Sequence, residues 1–233
     1  MSMRLLAPLA AVAALVAAGC GSGAGARDAT LWVTHDRGRV VVHRAGVRSG
    51  VTAAQALEGV AKVKTRYSGE FVQGIDGVEG GGSSDWFYYV NGYAAGIAAT
   101  DYLLHSGDVE WWDFRHWRDP GEALLVAGAF PEPFVHGYGG KQRVAVVRYA
   151  AGMAATAKAL AHVVGARSVA PLAVAAPKAA NVLDVLDGPA KLAIRYRAGH
   201  GSAGDPVEVE ARGEVARALV RDPHRYARRY AVP

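Results

Sequence analysis

The chain has 233 residues, one cysteine and a formal net charge of +5 at neutral pH. This length provides one sizeable hydrophobic core or two small ones. A single cysteine excludes an internal disulfide framework, so stability has to come from packing. The mild positive charge includes no long basic run, which argues against a nucleic-acid partner. Four arginines near the C-terminus either contact anionic lipid headgroups or are simply solvated: Arg221, Arg225, Arg228 and Arg229.

The N-terminus has the pattern of a secretory signal peptide. Arg4 is followed by an apolar stretch from Leu5 to Ala18 that is too short to span a bilayer. Small residues then precede Cys20, and this arrangement resembles the bacterial lipobox. The resemblance implies cleavage of residues 1–19, acylation of the Cys20 thiol, and anchoring in the lipid bilayer on the extracytoplasmic face of the cell membrane. The alternative is an ordinary secreted protein with an unrelated cysteine.

Residues 20–27 are small and flexible and are predicted to form a tether between the lipid and a globular body. The first elements of that body are two β-rich runs at residues 30–34 and 39–43. Thr52 has the residue type of a helix N-cap, and apolar residues at helical spacing follow it as far as residue 63. The glycine-rich residues 74–84 are predicted to form a mobile loop.

An aromatic strand comes next and ends at Asn91-Gly92, a pair typical of a tight turn in which both residues have positive φ. A further aromatic strand begins at residue 109, after the turn residues Ser106-Gly107-Asp108. The order strand, strand, helix, strand, strand predicts a β-grasp-like domain over residues 28–118.

Residues 119–233 are predicted to form a small α/β domain, because strands and helices alternate along them. The predicted strands are 144–147, 190–196 and 207–210, and the predicted helices are 150–164, 178–186 and 213–220. The fold class predicted for the whole chain is therefore α+β, with a β-grasp-like first half and an α/β second half.

The sequence of residues 86–92, WFYYVNG, is followed by SGD at 106–108 and WWD at 111–113. These segments resemble bacterial surface domains similar to the C-terminal domain of transcobalamin and intrinsic factor. The resemblance covers residues 30–117 and implies a β-grasp-like fold. In the vertebrate proteins this domain forms one wall of a cobalamin site, which suggests a corrinoid or another vitamin-like ligand. The helical domain that completes that site has no counterpart here.

Alternation places consecutive aromatic residues of a strand on opposite faces of the sheet. One face has to be core, and the other either binds a flat ligand or is covered by the second half. Asn91 and Asp108 are interpreted as turn residues, and Arg115 and His116 as a possible pocket rim. The candidate ligand-binding residues are Trp86, Tyr88, Tyr89, Asn91, Tyr93, Trp111, Trp112, Asp113 and Trp117.

No catalytic site is predicted. The histidines lack zinc-ligand spacing and no nucleophile motif is present. The glycines of residues 199–204 precede a strand, whereas a dinucleotide-binding loop has to open a helix. We therefore expect a non-enzymatic lipoprotein without a cofactor or metal. It would capture a small molecule for a membrane transporter or, alternatively, act as a protein–protein interaction module of the cell envelope.

Overall fold

The computed structural model describes residues 26–118 and 123–233. The predicted signal peptide, Cys20 and most of the predicted tether lie outside these ranges, as does the boundary predicted between the two halves at residue 119. The described chain has the predicted α+β fold, with helices α1 (Ala53–Glu58), α2 (Ala154–Val163) and α3 (Gly213–Arg221). None of these helices is long and apolar enough to cross a bilayer.

The described strands form two five-stranded sheets and one three-stranded sheet. They are β1 (Ala29–His35), β2 (Val40–Val47), β3 (Val63–Arg66), β4 (Phe71–Ile75), β5 (Val78–Glu79), β6 (Ser84–Val90), β7 (Tyr93–Ala94), β8 (Val109–His116), β9 (Ala145–Tyr149), β10 (Ser168–Pro171), β11 (Asn181–Leu186), β12 (Lys191–Tyr196) and β13 (Val207–Arg212).

The first sheet has the strand order β2-β1-β8-β6-β7. Strand β1 pairs with β8 in parallel at the centre, whereas β2 and β6 pair antiparallel with their neighbours. Helix α1 packs on one face of this sheet through Ala53 and Leu57, which belong to the same buried core cluster as Leu31 and Val33. This is the β-grasp-like arrangement that the sequence predicts.

Helix α1 begins as predicted and ends earlier than predicted. The Thr52 hydroxyl accepts a hydrogen bond from the Gln55 amide, and the Gln55 side chain accepts one from the Thr52 amide. These reciprocal bonds form a capping box. The helix ends at Glu58 before Gly59, and Val63 already belongs to strand β3.

The prediction of a mobile loop at residues 74–84 was wrong for its first half. Residues Asp76 and Gly77 both have positive φ and connect β4 to β5 in a short hairpin. Asp-Gly is a strong signal for such a turn, and the neighbouring glycines obscured it.

The prediction of a helix over residues 178–186 was also wrong, because β11 occupies residues 181–186.

The second sheet has the strand order β10-β9-β11-β13-β12, with β12 antiparallel at one edge and the other strands parallel. Helices α2 and α3 cover one face and share a core with Leu183 and Val209. Strand β11 lies between β9 and β13, and both Val182 and Leu183 are fully buried. Strand β11 is buried on both faces and only Asp184 interrupts its apolar residues 182–186, so it has no alternation that would distinguish it from a helix.

The two halves share a third hydrophobic cluster. Trp32, Tyr89 and Trp111 of the first sheet pack there against Val126 and Tyr230 of the second half. The C-terminal segment after α3 thus returns to cover the face of the first sheet opposite α1.

Candidate ligand site

The aromatic residues of β6 and β8 divide between the two faces of the first sheet, as the alternation predicts. Trp86 and Trp112 lie on the α1 side and are buried in its core. The ring of Tyr88 stacks on Trp112 with 4.7 Å between centroids. Burial raises the pKa of the Tyr88 hydroxyl. These three side chains therefore form core on this face, which removes Trp86 and Trp112 from the candidate ligand surface.

On the opposite face, the second half covers most of the aromatic surface. Trp111 is fully buried, and its ring meets Tyr230 edge-on at 5.2 Å between centroids. Its indole nitrogen donates to the Thr34 hydroxyl at 2.7 Å. Asp113 is also fully buried and accepts hydrogen bonds from Thr34, from the Gly38 amide and from the Tyr230 hydroxyl. Trp111 and Asp113 thus join the halves, and neither faces an open surface.

Asn91 is predicted to be a turn residue, and in the structure its side chain also makes buried hydrogen bonds to distant parts of the chain. Both Asn91 and Gly92 have positive φ, as predicted. The fully buried Asn91 amide donates to Asp108 Oδ1 and to the Gly137 carbonyl, both at 2.7 Å, and its Oδ1 accepts from the Val109 amide at 2.7 Å. Asn91 is thus a buried crosslink between β6, β8 and the second half.

The glycine and tyrosine that follow Asn91 also contact the second half. A Cβ on Gly92 would lie 2.8 Å from the Val126 carbonyl oxygen, so only glycine fits there. Tyr93 is buried, and its hydroxyl donates to the Asp205 carbonyl at 2.8 Å. Asn91, Gly92 and Tyr93 therefore hold the two halves together and are not exposed to a ligand.

One part of the predicted aromatic surface stays open. Strand β7 pairs with only the last two residues of β6, so within residues 26–118 and 123–233 the rest of that edge of β6 has no neighbouring strand. A cavity of about 250 Å³ lies beside it. Its wall residues are Phe87, Tyr88, Tyr89, Ala94, Arg115, Trp117, Ala123 and Leu124. Three of the nine predicted ligand-binding residues, Tyr88, Tyr89 and Trp117, therefore line one cavity.

The cavity has an aromatic wall and an apolar mouth. Trp117 is 59% exposed and Leu124 is 43% exposed, so both lie at the opening. The ring of Phe87 meets Trp117 edge-on at 5.5 Å between centroids. The ring of Tyr88 points to the α1 side of the sheet, so Tyr88 contributes its main chain to the cavity wall. The lining is thus mainly apolar.

Arg115 is the charged group of the described cavity wall. Arg115 is only 4% exposed, and its guanidinium carbon lies 3.6 Å from the centre of the Phe87 ring. It donates to the His116 carbonyl at 3.2 Å and to the Tyr89 hydroxyl at 3.4 Å. Arg115 is predicted from the sequence to lie at a pocket rim, whereas the contributions of Phe87 and Leu124 are not. Leu124 lies across the cavity because residue 124 runs beside β7, a contact that no local pattern indicates.

Glu110 is a second buried ionisable residue of β8 and lies on the core side of the sheet. Its Oε1 accepts a hydrogen bond from the Trp112 indole at 2.6 Å. Burial raises the pKa of Glu110 well above the usual value of 4.5, and the Trp112 bond only partly opposes this. In the described ranges no cluster of three or more acidic, histidine or cysteine side chains has the geometry of a metal site.

The family of domains of unknown function named DUF4430 matches residues 50–116. The match runs from just before α1 to the end of β8 and includes Asn91, Gly92 and Asp108. It leaves out β1, β2 and the whole second half. No curated protein matches the chain.

Proposed function

We propose that the protein is a lipid-anchored extracytoplasmic binding protein whose aromatic cavity holds a small ring-containing compound for a membrane transporter. The cavity beside β6 is the observation that carries this proposal. Small-molecule sites are typically concave and mainly apolar, with a few polar groups that orient the ligand. Phe87, Tyr89 and Trp117 provide the apolar wall, and Arg115 provides the polar group.

The size of the cavity favours a compound of one or two rings. At about 250 Å³ it lies just below the range of roughly 300–1,000 Å³ that is usual for drug-sized ligands. The resemblance to the transcobalamin C-terminal domain supports a corrinoid instead. A corrinoid is much larger than the cavity, so Trp117 and Leu124 would contact only one edge of it.

The alternative, a protein-interaction module, predicts a flat exposed aromatic patch. Of the aromatic residues predicted to form the binding surface, only Trp117 is exposed, and it lies at the mouth of a concave cavity. Tyr93 is buried, so it would not be part of a docking surface. This geometry favours a small ligand over a flat protein partner.

Calorimetric titration of the full-length protein with phenylacetate, 2-naphthylacetate and cobalamin tests the cavity. We expect saturable binding of at least one compound. The W117A variant should bind it about tenfold or more weakly, because the substitution removes the exposed aromatic ring at the mouth of the cavity. The matched control is Y67A, which removes a 74% exposed tyrosine that does not line the cavity. Equal weakening in W117A and Y67A, or no binding of any compound, would contradict the proposal.

The proposal of a lipid anchor rests on the sequence of residues 1–20, and a separate experiment tests it. Metabolic labelling with an alkyne analogue of palmitate should label the protein, and the label should disappear in C20A. The wild-type protein should stay with the membrane fraction, because two or more acyl chains bind a bilayer almost irreversibly. Release of the C20A variant into the soluble fraction is expected, whereas labelling that persists in C20A would exclude this site of acylation.

A further inference from the structure

Arg115 has hydrogen-bonding capacity that the described protein does not use. A guanidinium carries five N–H donors, and both acceptors of Arg115 are neutral oxygens at 3.2 and 3.4 Å. Its Nε is buried and has no hydrogen-bond partner within residues 26–118 and 123–233. A buried charge is costly without a counter-charge, so this arrangement calls for an anion.

The acidic residues that β6 and β8 carry on this face of the sheet do not supply that anion. Asp113 lies two residues before Arg115 on β8, and its carboxylate accepts from Thr34, Gly38 and Tyr230. Asp85 is opposite Arg115 in the β6–β8 register, and its carboxylate accepts from the Trp86 amide. Neither carboxylate hydrogen-bonds Arg115.

The position of Arg115 suits a ligand in the cavity. Arg115 lines the cavity with its guanidinium carbon 3.6 Å from the centre of the Phe87 ring, and the edge of a planar guanidinium carries parallel N–H groups. A carboxylate or phosphate accepts two parallel hydrogen bonds from such an edge, which is the geometry that distinguishes arginine from lysine. Apolar atoms of Trp117 and Leu124 at the mouth would then contact the rest of the ligand.

We infer that the cavity selects small apolar acids, in which a ring system carries a carboxylate or phosphate that binds Arg115. This inference rests on the proposed function and specifies its ligand class. The apolar wall supplies affinity for the ring, and Arg115 supplies discrimination between an acid and its neutral amide.

Titration calorimetry of the full-length protein with phenylacetate, phenyl phosphate and phenylacetamide tests this inference. We expect one or both anions to bind at least tenfold more tightly than the amide, since hydrogen bonds between charged groups carry that much free energy. R115Q should lose the preference, so that its affinities for the acids and for the amide agree within about twofold. R115K keeps the charge and should recover only part of the preference, because lysine has no bidentate edge.

The matched control is R118Q, which removes a charge of the same sign from an exposed residue that does not line this cavity. A loss of preference in R118Q as large as in R115Q would indicate a general charge effect and overturn the assignment. Circular dichroism of each variant establishes that it is folded, and R115K provides the comparison if R115Q is not.

The remaining outcomes separate this inference from the proposed function. Equal affinity of the wild-type protein for the acids and the amide would overturn the role of Arg115 and leave the cavity as a ligand site. Binding of none of the three probes at millimolar concentration would overturn both.

Discussion

Substitution of Asn91 by alanine should lower the free energy of unfolding by about 3–5 kcal/mol. The side chain makes three hydrogen bonds of 2.7 Å in a fully buried position. Without them the Val109 amide, the Gly137 carbonyl and the Asp108 carboxylate each lose a partner away from water. Alanine at a φ of 51° adds backbone strain, since the left-handed region disfavours a Cβ without a local hydrogen bond. Urea-induced unfolding followed by circular dichroism measures the change.

The matched control for Asn91 is D36A. Asp36 has a nearly identical φ of 53°, but it is exposed and its side chain makes no hydrogen bond within the described residues. We expect D36A to cost no more than about 1–2 kcal/mol, which is the contribution of backbone strain. Equal destabilisation by N91A and D36A would show that the turn conformation, and not the buried hydrogen bonds, makes Asn91 necessary.

This network also shows what the sequence motif around Asn91 specifies. The turn conformation was predictable, because Asn-Gly is a strong local signal. The partners of the side chain were not, because Asp108 and Gly137 are 17 and 46 residues away. Asn91, Gly92 and Asp108 are therefore structural residues, and they fix the first sheet to the second half.

The β-grasp-like half was predictable because its signals are local and agree with one another. Alternation assigned the faces of β6, and the N-cap residue Thr52 marked the start of α1. The α/β character of the second half was equally evident from its alternating strands and helices. The prediction failed at β11, where burial on both faces removes the alternation, and at residues 76–77, where a hairpin signal lies among other glycines.

The candidate site was only partly predictable, because it depends on which aromatic residues the second half covers. Tyr230 lies 117 residues from Asp113, yet its hydroxyl donates to that carboxylate at 2.7 Å. No periodicity within the first half indicates this contact. The aromatic strands are therefore evident from the sequence, but the difference between the covered residue Trp111 and the exposed residue Trp117 is not.

Replacement of Tyr230 by alanine should destabilise the protein by about 3–5 kcal/mol, as expected for loss of a large buried aromatic side chain. The ring packs edge-on against both Trp111 and Tyr89, with centroids 5.2 and 5.7 Å apart. Removing it exposes Trp111 to water, so tryptophan emission should shift to longer wavelength. Thermal unfolding followed by fluorescence and by circular dichroism measures both effects.

Two further variants divide this effect between packing and hydrogen bonding. Y230F keeps the ring and removes the hydroxyl that donates to Asp113, which should cost about 1–2 kcal/mol without a shift in emission. Y67A removes a tyrosine that is 74% exposed and should change stability by less than about 0.5 kcal/mol. Because Tyr230 joins the halves, its loss should lower the fluorescence and circular dichroism midpoints together. A shift confined to the fluorescence transition would show instead that the second half unfolds independently of the first sheet.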